Sequence, residues 1–136
     1  GKSFILGYTN ENFGIYLDVP TVIFDDFTTS SQFVNFPFKV KSSAIKILKC
    51  KKNYDIVFCF AMLQSVRYVV GGHERHWISK FSNIVVKIPK IEEQKAIAKI
   101  LSTQDKEIKL LQKELEEEKQ KKKALMQLLL TGIVRV

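Results

Sequence analysis

Ten positions between Ile97 and Leu129 fall on a single heptad seam, and seven of them are apolar. The apolar ones are Ile97, Leu101, Ile108, Leu111, Leu115, Leu125 and Leu129; Gln104, Glu118 and Lys122 interrupt the run. A seam kept for more than four heptads predicts a coiled-coil helix rather than a generic amphipathic one. From Glu92 to Leu130 the helix would extend ~58 Å at 1.5 Å per residue, against ~30 Å for the diameter of a small domain. Much of it must therefore project. A half-apolar helix of this length is not stable alone in water, so the seam requires a second helix, most simply the same one from another copy around a two-fold axis. The three polar seam residues either set register or antiparallel orientation, with Glu118 reaching a Lys across the axis, or weaken the middle of the coil.

The rest of the chain is built differently. All 15 aromatic residues lie between Phe4 and Phe81, and the last 55 residues contain none. Aromatics supply the large buried areas of a compact core, whereas a stretch rich in Lys, Glu, Gln, Leu and Ile has the composition of a long helix. Pro89 marks the boundary, with Glu92 and Glu93 placing acids in the first helical turn. The expected organisation is an α+β fold: a small mixed domain over residues 1–88, then a long coiled-coil helix over residues 89–136.

Within the first part, Thr21–Phe24 reads as a strand. Phe33–Val40 alternates around Pro37, which predicts an edge strand or a break. Ala44–Leu48 is a short apolar run. Asp55–Phe60 is either a strand or the start of a helix that Ala61–Val70 carries to Gly71 and Gly72. Asn83–Ile88 alternates and reads as a closing strand, and Gly132 as the terminator of the long helix.

The chain carries 22 basic and 14 acidic residues, a net charge of +8. Residues 1–86 have 10 basic and 6 acidic groups and residues 87–136 have 12 and 8, so each part is +4 and charge does not single out one of them. With 46% hydrophobic and 26% charged residues, the chain reads as globular. No apolar run approaches the ~18 residues of a membrane span. The N-terminus has no secretory apolar core, and two cysteines cannot build a zinc site or a disulfide framework by themselves. A soluble cytoplasmic protein without a membrane partner is expected.

Three segments could carry chemistry. Lys39, Lys41, Lys46, Lys49, Lys51 and Lys52 are six lysines in 14 residues with no acid among them. They form either a phosphate grip, with Lys39, Lys41, Lys46, Lys49 and Lys51 as its cations, or a solvated face. The segment Gly71–Lys80 offers His73, Arg75, His76 and Lys80 as donors around a Gly-Gly turn. Arg can engage guanine bidentately in a major groove, and His can donate to the same edge or to phosphate. Trp77 is expected to anchor this segment in the core. After the first strand, Asp25 and Asp26 lead into Thr28, Thr29 and Ser30, which could donate to phosphate or base edges. The two acids read as an Asx turn or as part of a Mg²⁺ site, but a third acid and a catalytic Lys at matching spacing are not evident. A metal site using His73, His76 and a cysteine, or a Cys–His nucleophile, has only weak support. No phosphate-binding glycine loop or nucleophile elbow is found. Neither a cofactor nor a metal is expected.

The stretch Ile88-Pro89-Lys90-Ile91-Glu92-Glu93-Gln94 through Leu101, followed by Lys123-Ala124-Leu125-Met126-Gln127 and Leu129-Leu130-Thr131-Gly132, resembles the conserved region of specificity (S) subunits of type I restriction-modification enzymes. VIFDDFTTS, VNFPFKVKSSAIKIL and GGHERHWISKFS upstream resemble target recognition domains of one subgroup. The resemblance implies a non-catalytic DNA-recognition subunit whose helix packs against a second conserved-region helix. Methyltransferase (M) and restriction (R) subunits would then be directed to a bipartite site in double-stranded DNA. Full S subunits resemble two such units in tandem, and this chain carries one, with the recognition domain shortened at its N-terminus. A homodimer through the helix would restore two readers. The alternative is a coiled-coil assembly or decoy protein that no longer reads DNA.

Overall fold

The computed structural model describes residues 4–67 and 75–135. Two compact units emerge, Gly1–Gln94 and Lys95–Val136. The first contains a three-stranded antiparallel sheet, two helices and a 3₁₀ turn. The second is the greater part of one long helix. The fold is α+β, as the sequence predicts.

β1 (Thr21–Asp25) is the central strand, flanked by β2 (Ser31–Val34) and β3 (Ile45–Leu48). Its sequence, TVIFD, is β-branched and aromatic, which suits a strand buried between neighbours. Val22 faces Phe33 on one side and Leu48 on the other; Ile23 faces Gln32 and Ile47. Val22 and Phe24, two residues apart and so on one face of the strand, are both buried, with Val34, Phe58 and Phe81. The Phe24 ring lies 5.1 Å from Trp77 and 4.9 Å from Phe81, centroid to centroid. Trp77 thus anchors its segment in the core as expected. Phe33 meets Phe60 at 6.0 Å.

Pro37 acts as a break. β2 stops at Val34, and Phe38 instead forms an isolated antiparallel bridge with Tyr16, their rings 5.3 Å apart. α1 (Ile56–Ser65) settles the strand-or-helix ambiguity: Asp55 Oδ1 accepts the Phe58 N–H at 2.9 Å, capping a helix. It ends earlier than the expected run to Val70. The Ser65 hydroxyl bonds back to the Met62 carbonyl and Val66 is already extended. Gly71 and Gly72 lie outside the described residues.

The expected strand over Asn83–Ile88 is not formed. α2 (His76–Ser79) is a single turn, and a 3₁₀ turn follows at Phe81–Asn83. Beyond it the chain is extended and alternates, Val85 being 95% exposed while Ile84, Val86 and Ile88 are less than half so. Among the described residues no strand lies beside it. Its apolar side chains instead border a groove of about 150 Å³ with Phe58, Met62 and Leu63 of α1. Alternation records which side chains face a partner surface, and here that surface is a helix.

α3 (Ile91–Leu130) is 40 residues of unbroken helix, about 60 Å long. It opens with Glu92 and Glu93 in its first turn, where carboxylates complement the helix dipole. Gln94 is 1% exposed. Its Oε1 accepts the Asp55 N–H at 2.9 Å, and its Nε2 donates to the Pro89 carbonyl at 2.8 Å. Gly132, at φ 72°, closes the C-terminus, with its N–H bonded to the Leu129 carbonyl.

Candidate nucleic-acid interface

β1 and β2 are joined by a loop that Asp25 organises. Asp25 Oδ1 accepts the N–H groups of Phe27 (2.9 Å) and Thr28 (3.3 Å), and its carbonyl accepts that of Thr29. This is an Asx turn. Thr29 adopts φ 57°, and Thr28 and Ser30 are exposed.

Asp26 is fully buried and works differently. Its N–H donates to the Ala44 carbonyl at 3.0 Å, and its own carbonyl accepts the His76 N–H at 2.9 Å. Oδ1 accepts the Trp77 N–H at 2.7 Å, and Oδ2 lies 3.5 Å from Lys46 Nζ. Burial opposes the charge on Asp26, but the Trp77 N–H, the Lys46 ammonium and the Arg75 guanidinium together hold its carboxyl below the usual carboxylate range. The two neighbouring acids therefore hold the loop and join it to α2. This brings together two of the segments singled out from the sequence: Arg75 Cζ stands 5.8 Å from the Phe27 ring centroid, beside the Thr28–Ser30 loop. Asp26 carries that junction as an acid in a polar loop, and its partner lies too far along the chain for spacing to reveal.

His76 is corrected. It is 0% exposed, because the first residue of α2 is drawn against Asp26, so its imidazole has no surface to offer a base edge. His73 lies outside the described residues. Arg75 and Lys80 are exposed.

The lysine cluster divides. Lys39 pairs with Glu11 and lies 3.9 Å over the Phe13 ring. Its hydrogen bond and charge hold the Glu11 carboxyl below its ordinary value. Lys46 pairs with Asp26. Lys49 binds the Asp18 carboxylate at 2.7 Å and also the Asp18 and Pro20 carbonyls. The window free of acids in sequence is supplied with acids by the fold. None of the ion pairs among the described residues involves Lys41, Lys51 or Lys52, and all three are exposed.

The cysteines are free thiols. Burial first, then the adjacent Cys59, pushes the Cys50 thiol up to about 12, so it stays protonated near neutrality. Among the described residues no three His, Cys, Asp or Glu side chains are grouped to hold a metal, and no helix is long and apolar enough to cross a membrane.

A small sheet domain that presents cations and hydroxyls on loops is thus followed by a 40-residue helix whose apolar seam is exposed. The chain matches the family model for the type I restriction modification DNA specificity domain over residues 3–120, and it belongs to that family. It is 44% identical over 95 residues to the type I restriction enzyme EcoR124I/EcoR124II specificity subunit of Escherichia coli, an alignment covering 65% of this chain and 24% of that protein. It is 46% identical over 54 residues to the type I restriction enzyme MjaVIII specificity subunit of Methanocaldococcus jannaschii, covering 40% and 13%. The chain thus spans about a quarter of the first relative's length or less. No solved structure matches it.

Proposed function

We propose that this chain is a non-catalytic DNA-recognition module of a specificity subunit, one that directs methyltransferase and restriction subunits to a bipartite site. Residues 1–88 read one half-site and residues 89–136 form the spacer helix. The observation that carries the reading is the junction at Asp26, which sets Arg75 beside Thr28, Thr29 and Ser30 in a chain of the DNA specificity family. Arg75 reads a base edge, the loop hydroxyls contact phosphate or bases, and Lys41, Lys51, Lys52 and Lys80 supply phosphate contacts. Two copies joined through α3 read two identical half-sites a fixed distance apart. The open seam supports this: Ile108, Leu111, Leu115, Leu125 and Leu129 are 43–57% exposed.

Fluorescence anisotropy against a selected duplex and a random one, at two salt concentrations, tests the proposal. Arg75→Ala should cost ~1–3 kcal/mol on the selected duplex alone and relax sequence preference. Equal loss on both duplexes refutes base reading by Arg75. The rival reading, a helical assembly or decoy protein, is favoured by the internal pairing of Lys39, Lys46 and Lys49. A salt-independent, flat anisotropy response would select it.

A further inference from the structure

The geometry points to Phe27 as a specificity-determining residue, whose ring holds the Arg75 guanidinium in place and itself packs on the 5-methyl group of a thymine beside the guanine that Arg75 reads. This rests on the base reading proposed above and assigns a second base pair to the same site.

Phe27 follows Asp26 and Arg75 precedes His76, and the Asp26 carbonyl accepts the His76 N–H at 2.9 Å. The two side chains therefore leave the backbone on either side of one hydrogen bond between two buried residues. Neither backbone is free to shift. The Phe27 N–H donates to Asp25 Oδ1 at 2.9 Å, and the Asp26 N–H donates to the Ala44 carbonyl at 3.0 Å. Arg75 is the N-cap of α2 in extended backbone, and its carbonyl accepts the Ser79 hydroxyl at 3.0 Å. Arg75 Cζ then stands 5.8 Å from the Phe27 ring centroid, within the ~6 Å over which a cation is drawn to an aromatic ring. A flat guanidinium carries its N–H donors in its own plane, so the ring restrains it without using a donor. Bidentate pairing with guanine O6 and N7 then needs less ordering at the moment of binding.

The ring has more to give than that contact, because Phe27 is 44% exposed. Among the described residues the aromatic packing around Phe24 runs to Trp77 and Phe81 and leaves Phe27 out. A lone exposed apolar residue is ordinary. One mounted rigidly beside an exposed arginine, next to a loop of hydroxyls, is placed to read an apolar group. The major groove presents one such group, the thymine 5-methyl, and Phe is among the side chains that contact it. Successive base pairs rise by ~3.4 Å, and the 5.8 Å between guanidinium and ring spans fewer than two of them. The ring therefore reaches the pair adjoining the guanine.

Fluorescence anisotropy with the full chain, on the selected duplex and on copies in which each thymine in turn is uracil, reads the methyl group alone. The wild type should lose about fourfold at the thymine adjoining the guanine, the worth of one buried methyl. Phe27→Ala should bind the thymine and uracil duplexes alike, and should discriminate guanine from adenine at the Arg75 position several-fold less well. Phe27→Leu keeps an apolar contact but no aromatic face, so it should retain the uracil effect and share the loss of guanine discrimination. Both variants should melt as the wild type does, since the side chain lies outside the core. A Phe27→Ala chain that keeps both the uracil effect and its guanine preference overturns the inference. So does an equal loss on thymine and uracil duplexes, the mark of a ring wedged between base pairs. In either case the chain still reads DNA and the proposed function stands. A wild-type chain that binds all duplexes alike overturns base reading, and this inference with it.

Discussion

Asp26 accepts the backbone N–H of Trp77 at 2.7 Å, joining the end of β1 to the start of α2 across 51 positions of chain. The same carboxylate faces Lys46 of β3. Three separate segments of the recognition domain therefore depend on one buried charge.

Removing that charge should be costly. Asp26→Ala leaves Lys46 and the Trp77 N–H without their acceptor and should destabilise the domain by roughly 3 kcal/mol. The pH dependence has a definite sign. The folded pKa of Asp26 is lowered, so its contribution is fully present above the ordinary carboxylate pKa and is lost as pH falls through the folded value. Thermal melts between pH 2 and 6, a window on the order of the carboxylate range, should show a wild-type advantage over Asp26→Asn that shrinks toward the acid end. An advantage that is constant throughout contradicts the charge assignment.

Gln94 offers a sharper substitution. Both ends of its buried amide are used, one as acceptor and one as donor. Gln94→Ala should cost about 2 kcal/mol. Gln94→Glu should cost more at neutral pH, because an anionic oxygen then faces the Pro89 carbonyl, and should recover as the acid protonates. Chemical denaturation at pH 7 and pH 5 distinguishes the two variants.

Lys41 and Lys49 lie in one cluster and should behave oppositely. Lys41→Ala should lower affinity for all duplexes and reduce the slope of log affinity against log salt by about 1. Lys49→Ala breaks a bond network to Asp18 and Pro20, so the melting temperature should fall while the salt slope stays put. A salt titration and a melt on each variant decide it.

With its thiol pushed up to about 12, Cys50 should resist alkylation at pH 7.5, roughly one unit below the pKa of a free thiol. Its rate of labelling should follow unfolding, and mass spectrometry of iodoacetamide-treated protein with and without denaturant measures this. Rapid labelling of Cys50 in the native chain would contradict a half-buried, protonated thiol.

Local pattern was sufficient for the long helix, for β1 and for the loop that begins at Asp25, because each depends on neighbours within a few residues. The apolar positions of a heptad recur every ~3.5 residues, a buried strand concentrates β-branched side chains, and an Asx turn closes on its own backbone. The same logic failed at Asn83–Ile88, where alternation was real but its partner was the flank of α1, and at Val66, where the helix stopped short of the glycines.

The sequence by itself determined that an aromatic body precedes a long amphipathic helix, since composition and periodicity are written along the chain. Tertiary structure alone decided which polar residues are available. It buried His76, gave acids to Lys39, Lys46 and Lys49, and left Lys41, Lys51, Lys52 and Arg75 at the surface. Charge acts through space, and the acids that engage these groups come from positions such as Glu11, Asp18 and Asp26 that only folding brings near.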